Sequence, residues 1–450
     1  MNAHGGTLIL LAVGSVGLLV LLAAGLKLNA FIALLLAALA LGAGAGLEFP
    51  RVLAAFQSGL GATLGSIAGV IGLGVMLGKL LAQSGGAEVL ARGLNAFFGP
   101  ARVGWCIMAL SLVVGLTTWF AVGLFLLAPI LITLTRETGR PYLLLALPLL
   151  SCLSVMHGLM PPHPGPVIAI EALSANTGLV LLWGAVIGLP TAAIAGPLFA
   201  RWATRRLVVD PPLAVAQAEC KTPRSPSFGL TLFTIILPVA LMLLGTIAEL
   251  ALPTGHALRA TATFVGNPTI ALLASVLFAL WSFGTHCGGS GAQLLRFTEE
   301  SVANAGMMLL VVGGGGGFAR VLREAGVAEA LGDVARLFHL PPLVYAWLAA
   351  AFIRVATGSA TVAITAASGL FAPLLTEMPG LNRELLVIAI GCGSLFLSHL
   401  NDGGFWIVKD CLGLTLVQTL RTWTMTETII GIAGLLITLA VDAVWRMIHF

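Results

Sequence analysis

The sequence is poor in charge, because Asp, Glu, Lys and Arg together make up 9% of its 450 residues. Soluble globular proteins carry roughly 25% charged residues, so this shortage excludes an ordinary soluble domain. Hydrophobic residues make up 58%, and the mean hydropathy is +1.05. These values predict an all-α polytopic membrane protein, since the apolar runs are far longer than the alternating strands of a membrane barrel. The net charge of +4 indicates basic cytoplasmic loops rather than a nucleic-acid partner.

The signatures of several function classes are also missing. The six cysteines form no CxxC pair and no metal-ligand spacing, so no metal site is predicted. The glycine run Gly313–Gly317 is not followed by GK[ST], so it predicts a closely packed or flexible helix rather than a phosphate loop. No nucleophile is paired with a base. We therefore expect a protein that is not an enzyme, needs no cofactor and does not itself use ATP.

About twelve apolar runs have spanning length, and two of them are unusual. A span needs roughly 20 residues. Val103–Leu134 and Leu343–Leu375 are too long for one helix and too short for two helices with a loop. Polar residues interrupt the first run at Thr117-Thr118 and the second at Gly358-Ser359. This pattern predicts helices that break within the membrane, or re-entrant hairpins.

An internal repeat predicts two related halves. When the sequence is aligned with itself at the offset that pairs Phe56 with Phe297, the two polar interruptions also coincide. One further residue of offset pairs His157 with His399. We expect an N-terminal half at 1–200, with a repeat from about residue 56, and a C-terminal half at 229–450, with a repeat from about residue 297. We expect the halves to be inverted, although the sequence alone leaves a parallel arrangement open.

The segment between the halves, residues 201–228, is predicted to be a cytoplasmic linker. Its hydrophilic part, Arg201–Ser227, has five basic residues against two acidic ones. Short cytoplasmic loops carry such an excess of Lys and Arg.

The first candidate site is the stretch His157–Pro166, HGLMPPHPGP, which holds two histidines and four prolines. Each proline removes a backbone donor and resists a continuing helix. Within a membrane, broken backbone is tolerated only where protein covers it or where it lines a wet cavity. We therefore predict that His157 and His163 bind substrate, and that His157 also takes part in proton coupling. A surface loop is the alternative.

The second candidate site is Ser398–Asp410, SHLNDGGFWIVKD. We expect Asn401 to bind substrate and Asp402 with His399 to carry a proton, because burial can bring both groups into titration near neutral pH. Capping of the following helix is the alternative for Asp402. Arg354 could hold a substrate carboxylate through two parallel hydrogen bonds, or could form a structural pair with Asp402 or another acid.

Hydroxyl groups flank both predicted breaks. If half-helices begin there, their amino-terminal dipoles favour an anion. Back-bonding within ordinary helices is the alternative. The predicted substrate-binding residues at the breaks are Thr117, Thr118, Thr357, Gly358, Ser359 and Thr361.

The chain resembles the gluconate permease (GntP-type) family of the ion transporter superfamily. The motifs that carry the resemblance are HGLMPPHPGP at 157–166, the glycine run Gly313–Gly317 followed by Phe318, RVATGSATVA at 354–363 and SHLNDGGFWIVK at 398–409. The resemblance covers nearly the whole chain. It implies proton-coupled uptake of gluconate or a related sugar acid across the bacterial inner membrane. It also implies an inverted repeat with two re-entrant hairpins and elevator-like movement.

Members of this family differ in substrate, which includes gluconate, other hexonates, glycerate and D-serine, and the motifs do not separate these. The expected partners are therefore a small anionic sugar acid, protons and the lipid bilayer, and we expect a homodimer. The alternative function is a membrane-embedded enzyme or a passive channel with a histidine-lined polar cavity.

Overall fold

The computed structural model describes residues 3–26, 28–211, 222–253, 255–303, 306–327, 341–372, 375, 381–399 and 402–449. Every regular element in these ranges is a helix, which confirms the all-α prediction. The helices before the linker are α1 Ala3–Val20, α2 Ala30–Gly44, α3 Phe49–Gln83, α4 Gly86–Phe98, α5 Val103–Gly115, α6 Phe120–Thr138, α7 Tyr142–Leu159, α8 Pro164–Leu173, α9 Thr177–Ala193 and α10 Phe199–Ala203. Those after it are α11 Phe228–Ala251, α12 Ala257–Gly266, α13 Pro268–Ala279, α14 Gly291–Ala303, α15 Gly306–Glu324, α16 Pro342–Thr357, α17 Ala360–Phe371, α18 Arg383–Leu395, α19 Gly403–Cys411, α20 Leu416–Thr419 and α21 Met425–His449.

Several of these helices have the length and composition of membrane spans. Among the described residues five stretches qualify: Tyr142–Leu173, Thr177–Ala203, Phe228–Ala251, Pro268–Cys287 and Leu416–Met447. Two bent pairs raise the number to seven when each is counted as one span: Phe49–Gly65 with Ala68–Gln83, and Phe120–Ala128 with Ile130–Thr138. The chain is therefore a multi-pass membrane protein. The expected total of about twelve segments stays a prediction.

The proline-rich stretch breaks a helix within residues 157–166, as predicted. Helix α7 continues through His157 to Leu159, and α8 begins at Pro164. The first proline of the stretch is Pro161, and a proline disfavours helical backbone at the residue before it. The unwound residues are therefore 160–163, and His157 lies in the last helical turn.

The two long apolar runs are also broken at their polar residues. In the first run, α5 ends at Gly115 and α6 begins at Phe120. In the second, α16 ends where Gly358 adopts a left-handed conformation with φ of 70°. Glycine adopts that conformation without a steric penalty. The Ser359 side chain then accepts a hydrogen bond from the Val362 amide and caps the start of α17. The predicted broken helices are confirmed.

The same order of elements occurs twice along the chain. Two broken pairs, α5–α6 and α7–α8, precede a helix with a π-helical segment at Ile194–Leu198. The pairs α16–α17 and α18–α19 likewise precede a π-helical segment at Leu420–Thr424. The division into halves at 1–200 and 229–450 and their inversion stay predictions, as does the cytoplasmic linker, of which residues 212–221 lie outside the described ranges.

The glycine run lies inside α15, where it permits close helix contact. A Cβ added at Gly316 would lie 1.9 Å from Thr63 Oγ1, and one added at Gly59 would lie 2.4 Å from the Gly316 carbonyl oxygen. A Cβ at Gly315 would lie 2.2 Å from Thr365 Cγ2. Helix α15 therefore packs almost backbone to backbone on α3 and closely on α17. This agrees with the predicted closely packed helix.

Candidate functional site

A cavity of about 340 Å³ lies where the broken helices meet. Its wall comes from the last turns of α7, from α16 and from the starts of α6, α17 and α19. The π-helical segment Leu420–Thr424 and the first turn of α21 complete the wall. Small-molecule sites occupy roughly 300–1,000 Å³, so the cavity has room for a compact metabolite. We call it the central cavity.

Three helix N-termini lie at the wall of the central cavity. Residues 119–121 begin α6, residues 359–361 begin α17, and residues 402–404 begin α19, and all of them line the cavity. No side chain caps the start of α6. The free amides at a helix N-terminus carry a partial positive charge, so this arrangement favours a bound anion.

A buried ion pair forms one side of the cavity. Arg354 NH2 lies 2.6 Å from Asp402 Oδ2, and the Arg354 side chain is 3% exposed. The other two guanidinium nitrogens of Arg354, Nε and NH1, are buried and have no acceptor in the part of the chain that the structure describes. Buried donors without a partner are costly, so these two nitrogens mark a place for a ligand or water.

Asp402 has several further donors around it. Its Oδ2 also accepts a hydrogen bond from Ser398 Oγ, which in turn accepts one from Trp423 Nε1 at 2.7 Å. Its Oδ1 accepts from the Gly404 amide at 2.7 Å and so caps α19. Both alternatives considered from the sequence, the helix cap and the pair with Arg354, are therefore present. The role of Asp402 in proton coupling stays a prediction.

The three predicted histidines occupy two kinds of position. His157 lines the central cavity, its Nδ1 is buried without a partner, and its ring meets that of His163 edge-on at 5.7 Å. His163 Nε2 lies 2.5 Å from the Gly115 carbonyl oxygen, and His399 Nε2 lies 3.0 Å from that of Val355. Carbonyls at helix ends lack a partner within the helix. His163 and His399 therefore satisfy the broken ends of α5 and α16, behind the cavity wall.

The two threonines of the first break turn away from the cavity. Thr117 and Thr118 are buried, and their hydroxyls donate to the Val114 carbonyl oxygen at 3.4 and 2.9 Å. This is the back-bonding that the sequence left open as an alternative. The residues of this break that line the cavity are the next three, 119–121.

The second break lies at the cavity wall with most of its predicted residues. Gly358, Ser359 and Thr361 line the cavity. Asn401 and the side chain of Thr357 lie outside the described residues. The substrate-binding role of all these residues stays a prediction.

Sequence reasoning missed a second carboxyl group in the cavity. Glu427, in the first turn of α21, is 1% exposed, lines the cavity and accepts a hydrogen bond from Ser154 Oγ. In the sequence it directly precedes the apolar run Thr428–Trp445, which predicts an acid at the membrane edge. Ser154 precedes His157 by three residues and so shares its helix face, but no local signal in the sequence pairs that face with Glu427.

No metal site is apparent in the described part of the chain, where no three His, Cys, Asp or Glu side chains are arranged to hold a metal ion. The central cavity instead combines a cation with unused donors, helix N-termini and aromatic faces. Phe120 and Trp423, for example, lie with their ring centres 4.9 Å apart at its wall. Such a lining suits a small polar anion with apolar C–H groups.

The profile of the family described as GntP family permease matches residues 6–444. The chain belongs to this family. A gluconate permease of Pseudomonas aeruginosa is 42% identical and covers 98% of this chain and 99% of its own. A high-affinity gluconate transporter of Escherichia coli is 40% identical and covers 95% of this chain and 97% of its own.

The fold is shared with a solved transporter of low sequence identity. The YdaH transporter of Alcanivorax borkumensis superposes with a TM-score of 0.66 at 16% identity, over 92% of this chain and 98% of its own. As a GntP family permease the chain is a membrane transporter and not an enzyme. The resemblance predicted from the motifs is confirmed.

Proposed function

We propose that this permease carries gluconate, or a closely related small hydroxylated carboxylate, into the cell in symport with protons. The observation that supports this most is Arg354 at the wall of a cavity of about 340 Å³, because its Nε and NH1 have no acceptor among the described residues. A carboxylate can accept two parallel hydrogen bonds from one guanidinium. A sugar acid would therefore supply the acceptors that the described residues do not.

The rest of the cavity suits the remainder of such a substrate. The starts of α6 and α17 add positive dipole ends to the wall of the same cavity. His157, with an unpaired ring nitrogen, and Thr361 can exchange hydrogen bonds with hydroxyl groups. The ring faces of Phe120 and Trp423 can cover C–H groups. The names of both relatives, a gluconate permease and a gluconate transporter, support the same substrate class.

Proton symport follows from the charge of the substrate. Bringing one negative charge into a cell whose interior is negative by about 100 mV costs about 2.3 kcal/mol. One proton carried with each anion removes that electrical cost. We place the permease in the bacterial inner membrane as a homodimer, in which each subunit has two related halves joined by a cytoplasmic linker.

Uptake into proteoliposomes tests this proposal. Purified protein is reconstituted, the lumen is made alkaline relative to the bath, and radiolabelled gluconate is added. We expect accumulation above the bath concentration, and its loss when a protonophore collapses the gradient. Competition by sorbitol serves as the matched control, because sorbitol keeps a six-carbon chain of hydroxyls and lacks the carboxylate.

Three outcomes would contradict the proposal. Flux that only equilibrates gluconate would indicate a passive channel. A chemically altered product in the lumen would indicate an enzyme. Inhibition by sorbitol as strong as that by unlabelled gluconate would remove the carboxylate from recognition.

A further inference from the structure

Among the ionisable groups of the central cavity, Glu427 has the surroundings that least favour a permanent charge. It lies in the first turn of α21, directly after the π-helical segment Leu420–Thr424. Within the described part of the chain its one hydrogen bond comes from the neutral hydroxyl of Ser154, and no Lys, Arg or His nitrogen lies within ion-pair distance. An ionised carboxylate there would be a buried charge with no cation in direct contact, which is unfavourable.

Asp402, the other carboxyl group of the cavity, differs in every one of these respects. Its oxygens accept hydrogen bonds from a guanidinium, a hydroxyl and a backbone amide, donated by Arg354, Ser398 and Gly404. A proton on Asp402 would remove the charge that pairs with Arg354 and weaken the hydrogen bonds that these donors make to an ionised group. A proton on Glu427 displaces none, because the Ser154 hydroxyl can accept as well as donate.

We infer that Glu427 is the group that binds the transported proton, with Ser154 as its hydrogen-bond partner. The inference rests on the proposed proton symport and assigns the coupling site within it. Asp402 instead remains ionised and holds Arg354 in place for the substrate carboxylate.

The charged and titratable groups around Glu427 support a coupled cycle. The groups that share its cavity are Arg354 from α16, His157 from α7 and Asp402 before α19. Helix α9, which packs on α21, contributes no titratable side chain. Cys392 of α18 lies beside Gly434, about two turns further along α21.

The charge balance explains why a proton must bind with the substrate. With Glu427 ionised and the histidine neutral, the cavity holds two carboxylates against one guanidinium and repels an anion. A proton from the outer side forms the O–H bond of the Glu427 carboxyl and removes the excess negative charge. The sugar acid can then bind Arg354. After the site opens inward, the same O–H bond breaks and both the proton and the anion leave.

Glu427→Gln separates this role from binding. Glutamine keeps the shape and neutrality of the protonated acid but cannot release a proton. In the reconstituted system we expect the variant to exchange internal for external gluconate at a rate independent of pH. Accumulation driven by an alkaline lumen should be lost. Glu300→Gln is the matched control, since Glu300 lies on α14 outside the cavity and pairs there with Lys79 and Arg296.

A second readout follows the proton itself. Gluconate is added to detergent-purified protein in weakly buffered solution that contains a pH-sensitive dye. Wild-type protein and Glu300→Gln should take up protons on binding, whereas Glu427→Gln should bind gluconate and take up none. Ser154→Ala, which leaves the acid in place, should shift the pH dependence of proton uptake to higher pH, because the ionised form loses its hydrogen bond.

The outcomes distinguish this inference from the proposed function. Gradient-driven accumulation by Glu427→Gln with the pH dependence of wild type would overturn the inference. So would a folded Glu427→Gln that neither binds nor exchanges gluconate, because the acid would then be a substrate ligand. If Glu427→Gln does not fold, an unchanged pH dependence in Ser154→Ala overturns it instead. Wild-type transport that ignores the proton gradient would contradict the symport itself.

Discussion

Replacing Arg354 with lysine probes the substrate contact while keeping the positive charge that faces Asp402. Lysine can still pair with Asp402, whose Oδ2 now lies 2.6 Å from NH2. It cannot also supply the donors Nε and NH1, which have no acceptor among the described residues. The substrate carboxylate should therefore lose at least one of its two hydrogen bonds.

The expected loss of gluconate affinity follows from the number of hydrogen bonds lost. A hydrogen bond to a charged group contributes roughly 1.5–3 kcal/mol. Since 1.4 kcal/mol corresponds to a tenfold change in the dissociation constant, gluconate should bind R354K roughly 10- to 150-fold more weakly.

Isothermal titration of purified protein with gluconate measures this change. R446K is the matched control, because Arg446 pairs with Asp442 at 2.9 Å on α21 and lies outside the central cavity. A thermal melt without ligand verifies that R354K is folded. An R354K protein that binds gluconate as tightly as R446K would show that Arg354 does not hold the carboxylate.

Further changes test the ion pair, the helix packing and the topology. Asp402→Asn should weaken gluconate binding and lower the free energy of unfolding by roughly 3–5 kcal/mol, because it leaves the Arg354 charge buried and unpaired. Denaturant unfolding measures the change in stability, and an unchanged midpoint would contradict it. Gly316→Ala places a methyl group 1.9 Å from Thr63 Oγ1 and should lower the free energy of unfolding by roughly 1–3 kcal/mol. Gly306→Ala in the same helix meets no described atom within 4 Å and should lower it less in the same assay. A cysteine at the exposed Ser225 should react with an impermeant maleimide only after the cells are opened, and labelling of intact cells would place the linker outside.

The breaks in the helices could be predicted because each has a local cause in the sequence. Prolines after Met160 and the polar pair Gly358-Ser359 act on the backbone beside them, so their positions along the chain are readable. The break after α7 lies within the predicted stretch, and Met160, the residue before Pro161, is already extended.

The assembly of the cavity could not be read in the same way. The bond between His163 and the Gly115 carbonyl joins residues 48 positions apart. Only the packing of the broken helices decides that this histidine supports a helix end while His157 faces the cavity. Glu427 was missed for the same reason. An acid at the start of an apolar run resembles an interfacial residue until α21 is packed against α7.

A structure of the permease with gluconate bound tests the central claim most directly. The sugar acid should occupy the central cavity, with its carboxylate oxygens roughly 2.7–2.9 Å from Nε or NH1 of Arg354, the length of a charge-assisted hydrogen bond. Gluconate bound instead beside Arg320 and Arg323, in a separate cavity of about 160 Å³, would contradict the account, as would a carboxylate in the central cavity that points away from Arg354.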